Sequence, residues 1–432
     1  MSRSSSQVLV LGLNYPPEPT GISPYTGAIA RGLVRRDVET RALTAHPHYP
    51  DWKVTPGYGQ WSKLENLDGV QVRRLRHYIP RNPTGIRRAA SEMSFGLRQS
   101  FARWGEPDAV IAVSPALIST WVTMLRARVT HRHTPLVVWV QDLYSLGLSE
   151  TGQGGGMVHR AMKLIEGSVL RHATRVVVIH ERFARRVADD FGIPRDRIEV
   201  VRNWTHLPPT PVTDTRATRR ALGWSDDETV ILHAGNMGVK QGLDNVIAAA
   251  RLADAASAPV RFVLLGGGSQ REMLRALADG VTRVQFLDSL PDDEYAAAMQ
   301  SADVLLVNEK PGVAEMAVPS KLTSYFNSGK PVVAATDLSG ITAEELRAAG
   351  AGIVVPAGDP NSLLEAAMEL ARNPAVARSL GESGLRYRHT VLDEETALDR
   401  FTEILAAVVA ERATSSGDHP TAPAVRIERS TT

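Results

Sequence analysis

The chain contains no cysteine in 432 residues. That excludes disulfides and cysteine-ligated zinc, and it suits a reducing compartment. Aromatic residues make up only 6%, and they lack the spacing of a stacking platform for single-stranded nucleic acid. The net charge of +2 gives no global argument for a nucleic-acid partner, although charge can still gather locally. No run of about 18 continuous apolar residues occurs, so no segment is expected to span a bilayer. In "MSRSSSQVLVLGLNYPPEP" the apolar run stops at prolines before reaching the length of a signal peptide's core. These absences predict a cytoplasmic protein.

What is present is a folded composition, 43% apolar and 22% charged. The length exceeds one ordinary core and predicts two domains. "QVLVLGL", "VQVRRL", "AVIAVS", "PLVVWVQ" and "RVVVI" read as strands alternating with helical stretches, the pattern of a parallel sheet. The pattern lapses in a proline-, threonine- and charge-rich stretch around "NWTHLPPTPVTDTRATRRALGWSDDE" and restarts with "TVILHAG", "VRFVLLGGG", "VQFLDS", "ADVLLVN", "PVVAAT" and "AGIVVP". The expected division is residues 1–203, a linker over 204–227, a second domain over 228–385, helices over 386–412 packing back towards the first domain, and a disordered tail over 413–432.

Three passages carry polar groups at strand ends. In "HAGNMGVKQG", Gly235, Gly238 and Gly242 permit close approach of main chain to a diphosphate, Lys240 adds a point charge, and Asn236 or Gln241 adds hydrogen bonds; a plain tight loop explains the glycines equally well. In "VLLGGGSQREML", Gly266, Gly267 and Gly268 would let a base or phosphate press on the backbone, and Ser269 could cap the helix. This is not GxGxxG, and no acidic residue follows at the spacing of a nicotinamide site. In "NEKPGVAEMAVPSKLTSYFNSGKPVVAATD", Glu309, Lys310, Glu315, Ser320 and Lys321 gather where open α/β sheets bind ligands, or else form a solvated loop.

The order "YPPEPTGISPYTGAIARGL", "VQDL", "HAGNMGVKQGL", "LLGGGSQREML" and "AVPSKLTSYFNSGKPVVA" resembles the retaining, nucleotide-sugar-dependent glycosyltransferases of the fourth family, most of all their colanic-acid and exopolysaccharide branch, over about residues 7 to 410. The resemblance implies an α/β protein of the GT-B type, two Rossmann-like domains facing each other across a cleft. The donor would be a UDP- or GDP-sugar, the acceptor a saccharide or lipid-linked saccharide, and no cofactor or metal would be needed. Where the family carries an arginine after the glycine and a lysine before the next one, this chain has Asn236 and Gln241, with Lys240 one residue early. Of the family's two glutamates, the ribose-binding one falls on Ser324; the other falls on Met316, with Glu315 adjacent to stand in. The "PSKL" segment implies that the amides of Ser320 and Lys321 meet the diphosphate. Donor binding is thus assigned to Gly235, Asn236, Gln241, Gly267, Gly268, Ser320, Lys321 and Ser324, and catalysis to Asp142, Lys240 and Glu315.

In the first half, Thr20 and Gly21 would face the phosphate or acceptor from a helix start, with a proline-fixed hinge as the other reading. Gln141 and Asp142 end a buried strand; Asp142 would face the acceptor hydroxyl, or cap the next turn. His46 and His48 lack a third ligand at metal spacing. "SDDE" and "PDDE" read as polar helix starts rather than a metal-binding DxD. Lys240 with main-chain N–H groups would stabilise the leaving phosphate, while same-face attack assisted by the donor phosphate would explain the lack of a carboxylate pair. Residues 73–104 hold eight arginines against one glutamate, and a helix there puts Ile86, Ala90, Met93, Leu97, Phe101 and Trp104 on one face. That face fits either an anionic membrane surface or pyrophosphate-linked acceptor, placing the protein peripherally at the inner membrane, or a core contact with a basic rim. A catalytically silent scaffold and a sugar-nucleotide epimerase remain rival functions on the same fold.

Overall fold

The computed structural model describes residues 6–19, 21–114, 116–145, 156–204, 213–313 and 320–415. The chain divides into two compact units, Met1–Asn203 with Ala397–Thr432, and Trp204–Thr396.

The first unit is built on eight strands: β1 (Gln7–Leu11), β2 (Glu39–Ala45), β3 (Ser62–Leu67), β4 (Val70–Leu75), β5 (Ala109–Ser114), β6 (Leu136–Val140), β7 (Arg175–Val178) and β8 (Ile198–Val200). Their order is β3-β4-β2-β1-β5-β6-β7-β8, parallel except for β3, which runs antiparallel to β4. The Val-, Ile- and Ala-rich runs of β5 and β6 are buried along their whole length, as expected of central parallel strands covered on both faces. At the sheet's edge β3 leaves Leu64 74% exposed.

The last helix, Glu394–Ser415, belongs to this unit from Ala397 onward. Leu398, Phe401, Ile404, Leu405 and Val408 are buried at helical spacing. Phe401 meets Trp139 edge-on at 5.1 Å, and Arg36 pairs with Asp399 at 2.6 Å. Gly32, on the helix Ser23–Arg35, makes room for Leu398: a Cβ there would lie 2.5 Å from its Cδ2. The helix thus runs past position 413, the expected start of the tail, and residues 416–432 lie outside the described residues.

The second unit has β9 (Thr229–Ala234), β10 (Val260–Leu265), β11 (Val284–Leu287), β12 (Val304–Asn308), β13 (Val332–Thr336) and β14 (Gly352–Pro356). All are parallel, in the order β11-β10-β9-β12-β13-β14. Two cores flank this sheet: Ile231 enters one, while Val230, Leu232 and Ala234 enter the other. The chain leaves β9 towards β10 and later returns on the opposite side with β12. The carboxyl ends of β9 and β12 therefore border the crevice where such sheets bind ligands.

Part of the expected linker is ordered against this unit. Asp214 caps the helix Thr215–Ala221 by accepting from the Ala217 amide at 3.0 Å. Arg219 donates to the carbonyls of Ser301, Ser225 and Glu228 and to the Asp303 carboxylate. A buried arginine with that many acceptors fixes the segment, although the sequence there reads as polar and proline-punctuated. Residues 205–212 lie outside the described residues.

Candidate functional site

At the carboxyl edge of the second sheet, the turns after β9 and β10 interlock. The Gly235 amide donates to Leu265 O at 2.9 Å, Met237 N to Gly267 O at 2.7 Å, and Gln270 N to Met237 O at 2.9 Å. Only glycine permits this contact. Gly266 and Gly268 have φ of +125° and +148°, and a Cβ would lie 2.3 Å from Gly235 O at the first and 2.5 Å from Met237 O at the second. At Gly267 a Cβ would meet nothing within 4 Å, so that backbone borders open space.

The β9 turn is also tied to the end of β12. Asn308 Nδ2 donates to Gln241 O at 2.7 Å and Gly242 O at 2.9 Å, and Asn245 donates to Asn308 Oδ1 at 2.9 Å. Gln241 uses its side-chain oxygen to accept from the Gly238 amide at 3.0 Å. The Lys240 carbonyl accepts from Lys310 N at 2.9 Å, and the Lys240 side chain is exposed.

A polar cluster lies beneath the turn. Lys321 stands in the first turn of the helix Ser320–Asn327, and its Nζ is 3.4 Å from His233 Nε2. The same Nζ lies 3.9 Å from the place a Cβ on Gly235 would occupy. Burial pushes the Lys321 ammonium down to about 8, while Glu309 pulls the other way. Burial, with the nearby Lys321 charge, pushes His233 down to about 3, so its imidazole is neutral. Glu309, just past β12, accepts from Thr342 Oγ1 at 2.7 Å and from Thr336 Oγ1. Burial raises its carboxyl, and the two threonine hydroxyls and Lys321 oppose that rise. Tyr325, fully buried on the same helix, accepts from the Ala234 amide at 3.0 Å and so pins the helix to the end of β9.

The first unit holds its candidates at the ends of β1 and β6. Gly21 has φ +69° and precedes the helix Ser23–Arg35. Gln141 and Asn203 exchange side-chain hydrogen bonds at 3.0 and 2.7 Å, so the Gln141 amide is already engaged. Asp142 is exposed at the end of β6.

The basic stretch forms the helix Gly85–Ser100, and its packed face is the polar one. Ser91, Glu92, Phe95, Gly96 and Gln99 are buried. Gly96 lets the helix Leu117–Thr130 approach, since a Cβ would lie 2.9 Å from Ser119 Cα. Ile86, Met93, Leu97 and Phe101 are 88%, 36%, 46% and 84% exposed. Trp104, expected on the same face, is instead buried, its indole N–H donating to Gln99 O at 3.0 Å. Core contact is thus the wrong reading for this face except at Trp104: hydrogen-bonded polar groups took the inner side.

Residues 20–204 match the family model described as a glycosyl transferase 4-like domain, and residues 228–373 match that of glycosyl transferases group 1. A putative colanic acid biosynthesis glycosyl transferase of Escherichia coli is 31% identical over 422 residues, covering 91% of this chain and 98% of the relative. The chain belongs to this glycosyltransferase family. A GDP-mannose-dependent mannosyltransferase of Corynebacterium glutamicum is 29% identical, over 46% of this glycosyltransferase and 55% of the relative. Among solved structures, the sucrose-phosphate synthase of Thermosynechococcus elongatus superposes with TM-score 0.69 at 18% identity, covering 94% of this chain and 100% of the other. An Anabaena protein in complex with UDP-glucose superposes with TM-score 0.61 at 15% identity, covering 93% and 99%. These neighbours share the GT-B fold.

Of the glycosyltransferase's candidate residues, Gly235, Asn236, Gln241, Gly267, Gly268 and Lys321 come together at one sheet edge, and Ser324 lies one turn beyond Lys321 on its helix. Glu315, Met316 and Thr20 lie outside the described residues, and at Ser320 only the backbone is described. The sequence reading missed His233, Asn308, Asn245 and Tyr325. One signal was present: a histidine inside the otherwise apolar strand "TVILHAG" has to find polar company.

Proposed function

We propose that this glycosyltransferase transfers a sugar from a UDP- or GDP-sugar to a saccharide or lipid-linked saccharide acceptor in polysaccharide or glycoconjugate biosynthesis, with retention of anomeric configuration and without a metal ion. The observation that carries the proposal is the interlocked pair of glycine turns with Lys321 against Gly235. Close main chain and a half-buried cation suit a diphosphate, whose charge grows on the leaving phosphate during transfer. That set of N–H groups and lysine supports metal independence, because it offers positive charge to the leaving phosphate by itself. The names of the Escherichia coli and Corynebacterium relatives support a sugar-transferring role, and the Anabaena complex supports a UDP-sugar donor. Lys240, Asp142 and Glu315 are the proposed catalytic groups.

The test is a panel of UDP- and GDP-sugars screened by thermal shift, followed by transfer assays with chelator present and NMR of the product anomer. Stabilisation by one nucleotide class with release of nucleoside diphosphate is expected. Binding without any release would favour the silent scaffold.

A second reading concerns place. The exposed face Ile86, Ala90, Met93, Leu97 and Phe101, with Arg87, Arg88 and Arg103 exposed beside it, suits peripheral contact with an anionic membrane. Vesicles of phosphatidylglycerol should sediment the protein, and vesicles of phosphatidylcholine should not. Ile86→Ser with Phe101→Ser should release it without shifting Tm; unchanged sedimentation would refute the contact.

A further inference from the structure

We propose that Lys321 is a cation that meets the donor's diphosphate, and that Glu309, fixed by Thr336 and Thr342, is the counter-charge that keeps it a cation. This rests on the donor reading given above and deepens it. The turn after β9 has the neutral Asn236 directly after Gly235, and Lys240 is exposed on the short helical turn Val239–Gln241. Lys240 keeps its proposed role at the leaving phosphate, and a further charge comes to Gly235 from elsewhere in the fold. Lys321 supplies it: its Nζ, carried on the neighbouring helix, lies 3.9 Å from where a Cβ on Gly235 would stand and 3.4 Å from His233 Nε2.

The groups around Lys321 suit this role. His233, on β9, contributes no competing positive charge, because its imidazole is neutral. Glu309, at the end of β12, has its oxygens taken by hydroxyls from Thr336 and Thr342. It is therefore held fast, and its charge acts on Lys321 as a fixed field. Asp337, past β13, adds negative charge near Glu309. Tyr325 fixes the helix that carries Lys321. A lysine desolvated in this way lies near its titration point, so a neighbouring carboxylate decides how much cation survives at neutral pH. The cation is present below about pH 8 and is lost as pH rises through that value.

The experiment measures binding of UDP-glucose and GDP-mannose by calorimetry on either side of about pH 8, stopping below the range in which the uracil and guanine ring N–H groups ionise, so that the ligand's charge stays constant. Wild-type affinity should fall as pH rises through about 8. Lys321→Ala should bind about tenfold to a hundredfold more weakly at neutral pH and show no such fall. Lys321→Arg should bind throughout with a flat profile, because guanidinium stays charged. Glu309→Gln should move the fall to lower pH and raise the donor KM before it lowers kcat. Melting temperatures exclude misfolding, and should Glu309→Gln fail to fold, Thr342→Val takes its place. Wild-type affinity in Lys321→Ala, or an unchanged pH fall in Lys321→Arg, overturns the inference while leaving the donor reading intact. Wild-type protein that binds neither sugar nucleotide at any pH overturns both.

Discussion

Gly267 and Gly268 are adjacent, yet the structure asks different things of them. At Gly268 both the positive φ and the 2.5 Å approach to Met237 O forbid a side chain. Gly268→Ala should destabilise the second unit by roughly 1–3 kcal/mol, read by urea unfolding. Gly267→Ala should leave stability within about 0.5 kcal/mol and instead weaken sugar-nucleotide binding, because its Cβ would enter the open space beside the turns. Glu92 offers a second contrast. Burial raises its carboxyl to about 7 against an ordinary 4.5, so the folded state holds a proton that the unfolded chain has released. Stability from this group is complete below about 4.5 and declines as pH rises to about 7. Glu92→Gln can keep the acceptor for Ile118 N and should flatten that decline, measured as Tm across the same range.

At the scale of elements, the strands were legible wherever the apolar residues form a continuous or alternating run. "AVIAVS" and "VQVRRL" match β5 and β4 residue for residue, because continuous or alternating apolar runs have few other uses. The strands missed are β2, with polar residues at its start, the half-exposed edge strand β3, and β8, three residues long. The helix Gly85–Ser100 was located, but hydrophobicity could not say which face it buries. Its inner side is held by Gln99 donating to Leu43 O at 2.9 Å and Ser91 to Tyr78 O at 2.7 Å. Polar groups with paired partners bury without penalty, and an apolar face does not compel burial. Gly96→Ala should therefore cost roughly 1–3 kcal/mol through its clash with Ser119, while Met93→Ser should cost less than about 0.5 kcal/mol. Chemical denaturation of the two variants side by side decides it.

Across the whole molecule, the two α/β units and both glycine turns could be read from the sequence, since each is a local pattern. The cluster around Lys321 could not, because it is closed by contacts between residues 88 apart in the case of His233 and Lys321, and by the return of β12 beside β9. The ownership of the last helix also comes from packing rather than pattern. A chain ended after Leu392 keeps the second unit's core but deprives the first of Leu398, Phe401, Ile404, Leu405 and Val408. Each such side chain is worth about 1.5–3 kcal/mol when fully buried. Calorimetry should show the first unit's transition lowered or absent and the second's retained.

That helix also sets the order of events during synthesis. The second unit is, in effect, an insertion within the first, spanning Trp204–Thr396. On the ribosome it can complete its core while its host still waits for the closing segment, leaving the flank at Gly32 and Trp139 unsheltered until Leu398 and Phe401 emerge. A frameshift upstream of the codons for Leu398–Val408 would then injure the earliest-made half of the enzyme.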